Sequence, residues 1–294
     1  MSDQPSRFPD DLLVENLCED AGYFLRGGRL LEAGRSRWQA YEVWETPRFG
    51  RLFRLDGCFM SSERDEFLYH ENLVHVPGIA HPGPRSALII GGGDGGSAEE
   101  LLKYPGMARV VIVELDDKVV EISRRYLHEV HHGALDDPRV EIRIADGLQY
   151  VYNDGPAAGA RYDLIVLDLT DPVGPAAALH TAGFFAACRA LLAEGGALSL
   201  HLGTPVYQPE RVQALVRGLR SVFACVRPYF LYIPLYGSLW GLACASDAVD
   251  PASLSAAEVD HRLSARAIVG LQHLNGPVHS APFALPNHLR ALLA

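Results

Sequence analysis

Beyond residue 85, short apolar runs alternate with longer segments in which apolar positions recur every three or four residues. The runs Ala87–Ile90, Val110–Glu114, Val140–Ile144, Leu164–Asp168 and Ala197–His201 read as strands covered on both faces. Between them Ser97–Tyr104, Lys118–His128, Ala178–Ala193 and Pro209–Val222 read as helices, and this alternation predicts an α/β fold with a parallel sheet. Two last strands, near Arg227–Ile233 and Ser238–Ala245, have no helix between them and complete a seven-stranded sheet with an antiparallel edge. Before residue 70 the pattern differs. Aromatic and β-branched positions, broken by turn signals at Thr46-Pro47, Phe49-Gly50 and Asp56-Gly57, predict a small antiparallel β-domain. His81-Pro-Gly-Pro84 separates the two patterns. The expected division is residues 1–80 for the N-terminal segment and β-domain, and 81–294 for the larger unit, with 247–294 a packed tail.

The ends of the predicted strands carry the chemistry. Leu88-Ile-Ile-Gly-Gly-Gly-Asp-Gly-Gly96 is an apolar strand running into a glycine cluster, where Gly91 and Gly93 would let backbone press against a nucleoside. Glu114 ends the next strand about twenty residues on, the spacing at which an acid accepts hydrogen bonds from ribose hydroxyls. Nicotinamide-dependent dehydrogenases and sulfonium-nucleoside transferases share that pair. Asp94, Asp146 and Asp168 also lie at or beside strand ends, with Asp171 three residues further. Each alone suits a loop or a helix cap. Together they line the crevice where an open α/β sheet binds ligand. Asp168 and Asp171 flank a loop closed by Pro172, Gly174 and Pro175, which can hold two carboxylates over a cation. Neither acid has a metal-ligand histidine motif beside it, so the pair points to ammonium recognition and no metal is expected.

Composition narrows the partners. A formal net charge of −10 and a pI near 5.6 argue against nucleic acid and an anionic membrane surface, and allow attraction of a cationic substrate. Five scattered cysteines without a CxxC pair read as reduced thiols of a cytoplasmic protein, and no apolar run reaches membrane-spanning length. The polar, acidic N-terminus reads as that of an unexported protein. His128-Glu-Val-His-His132 matches the HExxH zinc pattern, but it ends a predicted helix before Gly133 with no third ligand motif, so a solvated helix end is the expectation. His75 and His81 read as packing or loop residues; Trp38, Trp44 and Trp240 fit either pocket or core.

Ordered motifs along nearly the whole chain resemble the polyamine aminopropyltransferases, the family of spermidine synthase. They are Ser36-Arg-Trp-Gln39, Leu55-Asp-Gly57, Glu63-Arg-Asp-Glu-Phe67, Tyr69-His-Glu71, the glycine loop, Ala145-Asp-Gly147, the Asp-x-x-Asp-Pro loop and Ile233-Pro-Leu-Tyr236. The resemblance implies a Rossmann-like, methyltransferase-type sheet and transfer of an aminopropyl group from decarboxylated S-adenosylmethionine, a co-substrate rather than a cofactor, to an amine. It implies Glu114 on the ribose, Asp146 on the adenine amino group, and Gln39 and Asp94 at the donor's aminopropyl end. Asp168 would be the catalytic acid–base residue, with Tyr69, Asp171 and Tyr236 placing the acceptor. A homodimer or homotetramer is also implied. The chain departs from the spermidine synthase pattern at His70 and His201, where those enzymes usually carry glutamine. Tyr-His-Glu, Trp240-Gly241 and the tail around Arg266–Leu285 look more like thermospermine synthases and bacterial enzymes acting on agmatine or triamines. Such relatives, however, commonly carry glutamate where this chain has Asp94. Neutral imidazoles at His70 and His201 would offer acceptor nitrogens to the cationic groups of a longer acceptor, a long polyamine or agmatine, in preference to putrescine. An S-adenosylmethionine-dependent methyltransferase and a non-catalytic polyamine-binding protein stay open as rival readings.

Overall fold

The computed structural model describes residues 12–172 and 174–294; the polar N-terminal stretch singled out above and one residue of the Asp-x-x-Asp-Pro loop lie outside them. A hairpin of β1 (Leu12–Asn16) and β2 (Gly22–Arg26) leads into an antiparallel sheet of β3 (Arg29–Arg35), β4 (Ala40–Thr46), β5 (Gly50–Leu55) and β6 (Cys58–Ser62). Next come helix α1 (Glu66–Ala80), β7 (Ser86–Gly91), α2 (Gly96–Leu102), β8 (Arg109–Glu114), α3 (Asp117–Tyr126), β9 (Val140–Ile144) and β10 (Tyr162–Asp168). β11 (Leu192–Gly203), β12 (Cys225–Ile233) and β13 (Ser238–Ser246) complete a seven-stranded sheet ordered β12-β13-β11-β10-β7-β8-β9. All strand pairs from β11 to β9 are parallel, and only those involving β13 are antiparallel. This is the Rossmann-like, methyltransferase-type sheet with a small antiparallel β-unit before it.

The chain winds from β7 outward to β9 and returns to place β10 on the other side of β7, so the strand order reverses between β7 and β10. Strand carboxyl ends open a crevice at such a reversal. Period-two alternation divides the apolar strands between two cores. Leu88, Ile90, Val111 and Val113 face Phe184 and Phe185, whereas Ala87, Ile89, Val110 and Ile112 face Leu73, Val76 and Leu101.

Helix α1 is absent from the sequence reading, and its burial explains why. Thirteen of its fifteen residues are buried, polar ones included, so no amphipathic stripe marks it. It packs on α2 and the large sheet, although the division at residue 80 counts it with the β-unit. Its polar groups are satisfied by distant chain. Glu71 accepts the backbone N–H groups of Gln272, His273 and Leu274, and Arg262 and Arg266 donate to carbonyls of the last turn, Gly78 to Ala80. These bonds pack the tail. His75, expected as a packing residue, sits fully buried between Glu100, at 2.7 Å, and the Tyr104 hydroxyl, at 3.0 Å.

Two expected helices are interrupted. Lys118–His128 resolves into α3 and a separate turn His128–His131, and Ala178–Ala193 into a 3-10 segment Gly174–His180 and a helix Ala182–Leu191 capped by Thr181. At the HExxH string His128 is exposed and His132 has left the helix with φ +43°, so its first and last histidines do not share a helical face. Among the described residues no helix is long and apolar enough to cross a membrane.

Candidate active site

β10 ends opposite β7, with Asp168 beside Gly91, and the Gly92 N–H donates to the Asp168 carbonyl over 2.9 Å. Gly91 has φ +80°, and a Cβ there would stand 2.1 Å from the Asp168 carbonyl oxygen. A Cβ on Gly93 would meet Glu114 Oε2 at 2.9 Å, and one on Gly96 would meet the His70 ring at 2.3 Å. The glycines were expected to admit a nucleoside; what the structure shows them admitting is the protein's own strand end, acid and imidazole.

On the β8 side, Glu114 is buried and accepts the N–H groups of Gly93 and Asp116 at 3.2 and 2.9 Å. Burial lifts its carboxyl to about 7 against the opposing pull of those N–H groups. Asp116, which the sequence reading passed over, accepts from Ser36 Oγ at 2.6 Å and Gln39 Nε2 at 3.0 Å, and caps α3. It therefore ties Gln39, from the loop between β3 and β4, to the end of β8. Asp146 is exposed and caps the next helix through Leu148 N–H.

The centre of the site is a carboxylate cluster around one imidazole. Asp168 accepts from the Ser97 hydroxyl at Oδ2 over 2.7 Å and also from Tyr69. His70 Nδ1 bonds Glu66 Oε2 at 2.7 Å, while its Nε2 faces Asp94 at 3.6 Å and Asp168 at 3.8 Å. Burial opposes a charge on His70, but Asp94, Glu66 and Asp168 together outweigh it and lift the ring to about 10. His70 is thus an imidazolium at neutral pH, not the neutral acceptor expected from the sequence. One cation does not satisfy three carboxylates. Burial, with repulsion from Asp94, therefore keeps Asp168 above the ordinary carboxylate range despite His70 and Ser97. His70, Asp94 and Asp168 have ligand-type atoms within 4.8 Å of one another.

Aromatic rings form the other wall. Tyr69 meets Tyr236 edge-on at 5.9 Å between centroids, Tyr236 meets Trp240 at 4.7 Å, and Trp240 stacks on His201 at 5.8 Å. Trp240 packs in the core behind these rings. The Tyr236 hydroxyl is engaged with the Met60 carbonyl at 2.9 Å, so Tyr236 presents its ring and not its oxygen. Burial presses His201 down to about 3, and its Nε2 bonds the Leu169 carbonyl at 2.9 Å. Asp171 carries an ion pair with Arg211 at 2.6 Å; burial works against its ionisation, and Arg211 more than offsets that. Ser97, Glu66, Arg211 and Glu15, a half-buried acid on β1 that feels the charge of Asp171, are neighbours of these candidates that the sequence reading missed. Only Glu66 lay inside a motif it had singled out.

Residues 66–252 match the family described as spermine/spermidine synthase domain. A polyamine aminopropyltransferase of Nitrosomonas europaea is 48% identical over 290 residues, covering 99% of this chain and 88% of the relative. Polyamine aminopropyltransferase 2 of Hyperthermus butylicus is 41% identical, covering 90% of this chain and 87% of the relative. A spermidine synthase solved with the transition-state analogue AdoDATO superposes with a TM-score of 0.88 at 35% identity, covering 99% and 96% of the two chains. The spermidine synthase of Thermotoga maritima gives 0.87 at the same identity and coverage. The likeness spans both the β-unit and the sheet. The chain belongs to the spermine/spermidine synthase family and is a polyamine aminopropyltransferase.

Proposed function

We propose that Asp168 is the catalytic residue of an aminopropyl transfer from decarboxylated S-adenosylmethionine to a polyamine, the long acceptor being used better than putrescine. The observation that carries this is the setting of Asp168, its side chain 10% exposed at the sheet's reversal point and held by Ser97 and Tyr69. An alkyl amine with a pKa near ~10.4 is neutral in only roughly one molecule in two thousand at pH 7, a deficit of about 4–5 kcal/mol. Asp168 accepts an N–H of the amine, turns its lone pair to the propyl carbon and takes up the released proton; its raised pKa improves it as a base. The C–N bond forms as the C–S bond breaks, and the electron pair stays on sulfur as methylthioadenosine.

Glu114 then takes the ribose, Asp146 the adenine, and Gln39, Asp94 and the loop at Gly91 and Gly93 the rest of the donor. Tyr69, Asp171, His201 and Tyr236 bound the acceptor, with His70 between donor and acceptor acids. The two-unit division, the cytoplasmic setting and a homodimer or homotetramer complete the proposal. Five free thiols suit a reducing compartment, and the exposed β3 edge offers a pairing surface. Incubation of the purified protein with the decarboxylated donor and a panel of amines tests the reading. Methylthioadenosine and an aminopropylated amine are expected, whereas release of no methylthioadenosine with any amine contradicts it.

A further inference from the structure

The protein carries a cation of its own where the donor's ammonium would have to sit. His70 Nε2 faces Asp94 at 3.6 Å and Asp168 at 3.8 Å, and the three groups bring one atom each within 4.8 Å of one another. They converge on a single point. A protonated ring fills that point with its Nε2–H, set between a carboxylate of the glycine loop and one from the end of β10. A neutral ring offers a lone pair there instead. With the two carboxylates it then makes three acceptors, and a primary ammonium has three N–H bonds to give.

The ring has nowhere to move for such an exchange. It is 2% exposed, Glu66 holds its Nδ1 at 2.7 Å, and Tyr69 meets it edge-on with centroids 5.2 Å apart. On the α2 side a Cβ at Gly96 would stand 2.3 Å from it. The void beside it, bounded by Ser61, Asp65, Glu66 and Tyr69, measures about 10 Å³, room for a single water and not for an imidazole. What can leave is a proton. Glu66 accepts from Nδ1–H, so the neutral ring keeps its hydrogen on Nδ1 and the one given up is that on Nε2. The other titratable neighbours do not supply it: Asp65, just ahead of α1, is drawn down by the ring's charge, and burial with Asp168 keeps the Tyr69 hydroxyl protonated.

We propose that the donor's primary ammonium takes the place of the His70 Nε2 proton, so that donor binding releases a proton to solvent, and that Glu66 is the positioning residue that decides which nitrogen gives it up. The N–H bond at Nε2 breaks, its electron pair stays on nitrogen, and that pair accepts an N–H of the ammonium. Without the release, imidazolium and ammonium would stand side by side between the same two carboxylates. The inference rests on the aminopropyl-transfer reading above, in which Asp94 meets the donor's aminopropyl end.

The test is calorimetric titration of the protein with the decarboxylated donor, without amine, in phosphate and in Tris, whose ionisation enthalpies differ; the buffer dependence of the heat counts the protons released. At about pH 8 the Glu114 carboxyl, at about 7, is already ionised and contributes little. The wild type is expected to release about one proton per bound donor and to bind about tenfold more tightly per pH unit between about pH 7 and 9. His70→Gln should bind the donor with neither effect, and Glu66→Gln should release less than about half as much, because its ring has lost the acid that holds the charge. A purely structural His70 would change affinity and leave the proton count alone. Donor binding without proton release in the wild type overturns the proposal, as does a release that persists unchanged in His70→Gln. Binding with release, but no methylthioadenosine with any amine, leaves the linkage standing and removes the transfer reading. A wild type that does not bind the donor removes both.

Discussion

Arg211 and Asp171 form an ion pair of 2.6 Å, so the second acid of the Asp-x-x-Asp-Pro loop is engaged with the protein itself. Replacing Arg211 with Met frees that carboxylate for a substrate ammonium. The expected outcome for Arg211→Met is a KM for putrescine lower by several-fold, with kcat little changed, measured by steady-state kinetics at low ionic strength. An unchanged or higher KM contradicts the occupied role of Asp171.

The charge on His70 gives a pH-dependent stability. Its folded value of about 10 lies above the unfolded 6.5, so the stabilisation is complete below about pH 6.5 and is lost as pH rises through about 10. Denaturant unfolding of the wild type should show a loss on the order of 2–4 kcal/mol across that window. In His70→Gln the slope should flatten. Parallel slopes in the two proteins would show that His70 is not the group responsible.

Glu114→Gln alters the acid that both neighbouring N–H groups use and that is proposed to hold the ribose hydroxyls. Calorimetry should show the donor binding about ten- to a hundredfold more weakly, with kcat at saturating donor changed far less. Loss of kcat with unchanged donor affinity would move Glu114 out of the donor site.

Donor choice follows from Asp94 and Asp168 both facing the His70 ring. A carboxylate on the donor would stand against them, and like charges ~4 Å apart repel by about 4 kcal/mol at an effective dielectric of roughly 20. Binding titrations should therefore show S-adenosylmethionine far weaker than its decarboxylated form. Equal affinities would remove the electrostatic basis of donor selection.

The strands and the glycine loop were legible because an apolar run buried on both faces, closed by glycines, admits few other readings. Asp94, Glu114 and Asp168 were legible for a related reason, since strand ends fix where their side chains go. α1 was not, because burial on all sides erases the periodicity by which a surface helix is recognised. Nor were the partners that set each group's state. Asp116 beneath Gln39, Ser97 on Asp168 and Arg211 on Asp171 are contacts between residues 40 to 77 positions apart. His70 shows the consequence: its identity suggested a neutral ring, and Glu66, Asp94 and Asp168 make it a cation.

The assignment of Asp168 is tested most directly by single-turnover release of methylthioadenosine from the Asp168→Asn variant, with donor affinity measured on the same sample. Asparagine keeps the size of the side chain and can still accept from Ser97, but it cannot take the amine's proton. Turnover should fall by about 10²- to 10⁴-fold while the donor remains bound. Release at the wild-type rate by that variant would contradict the catalytic role of Asp168.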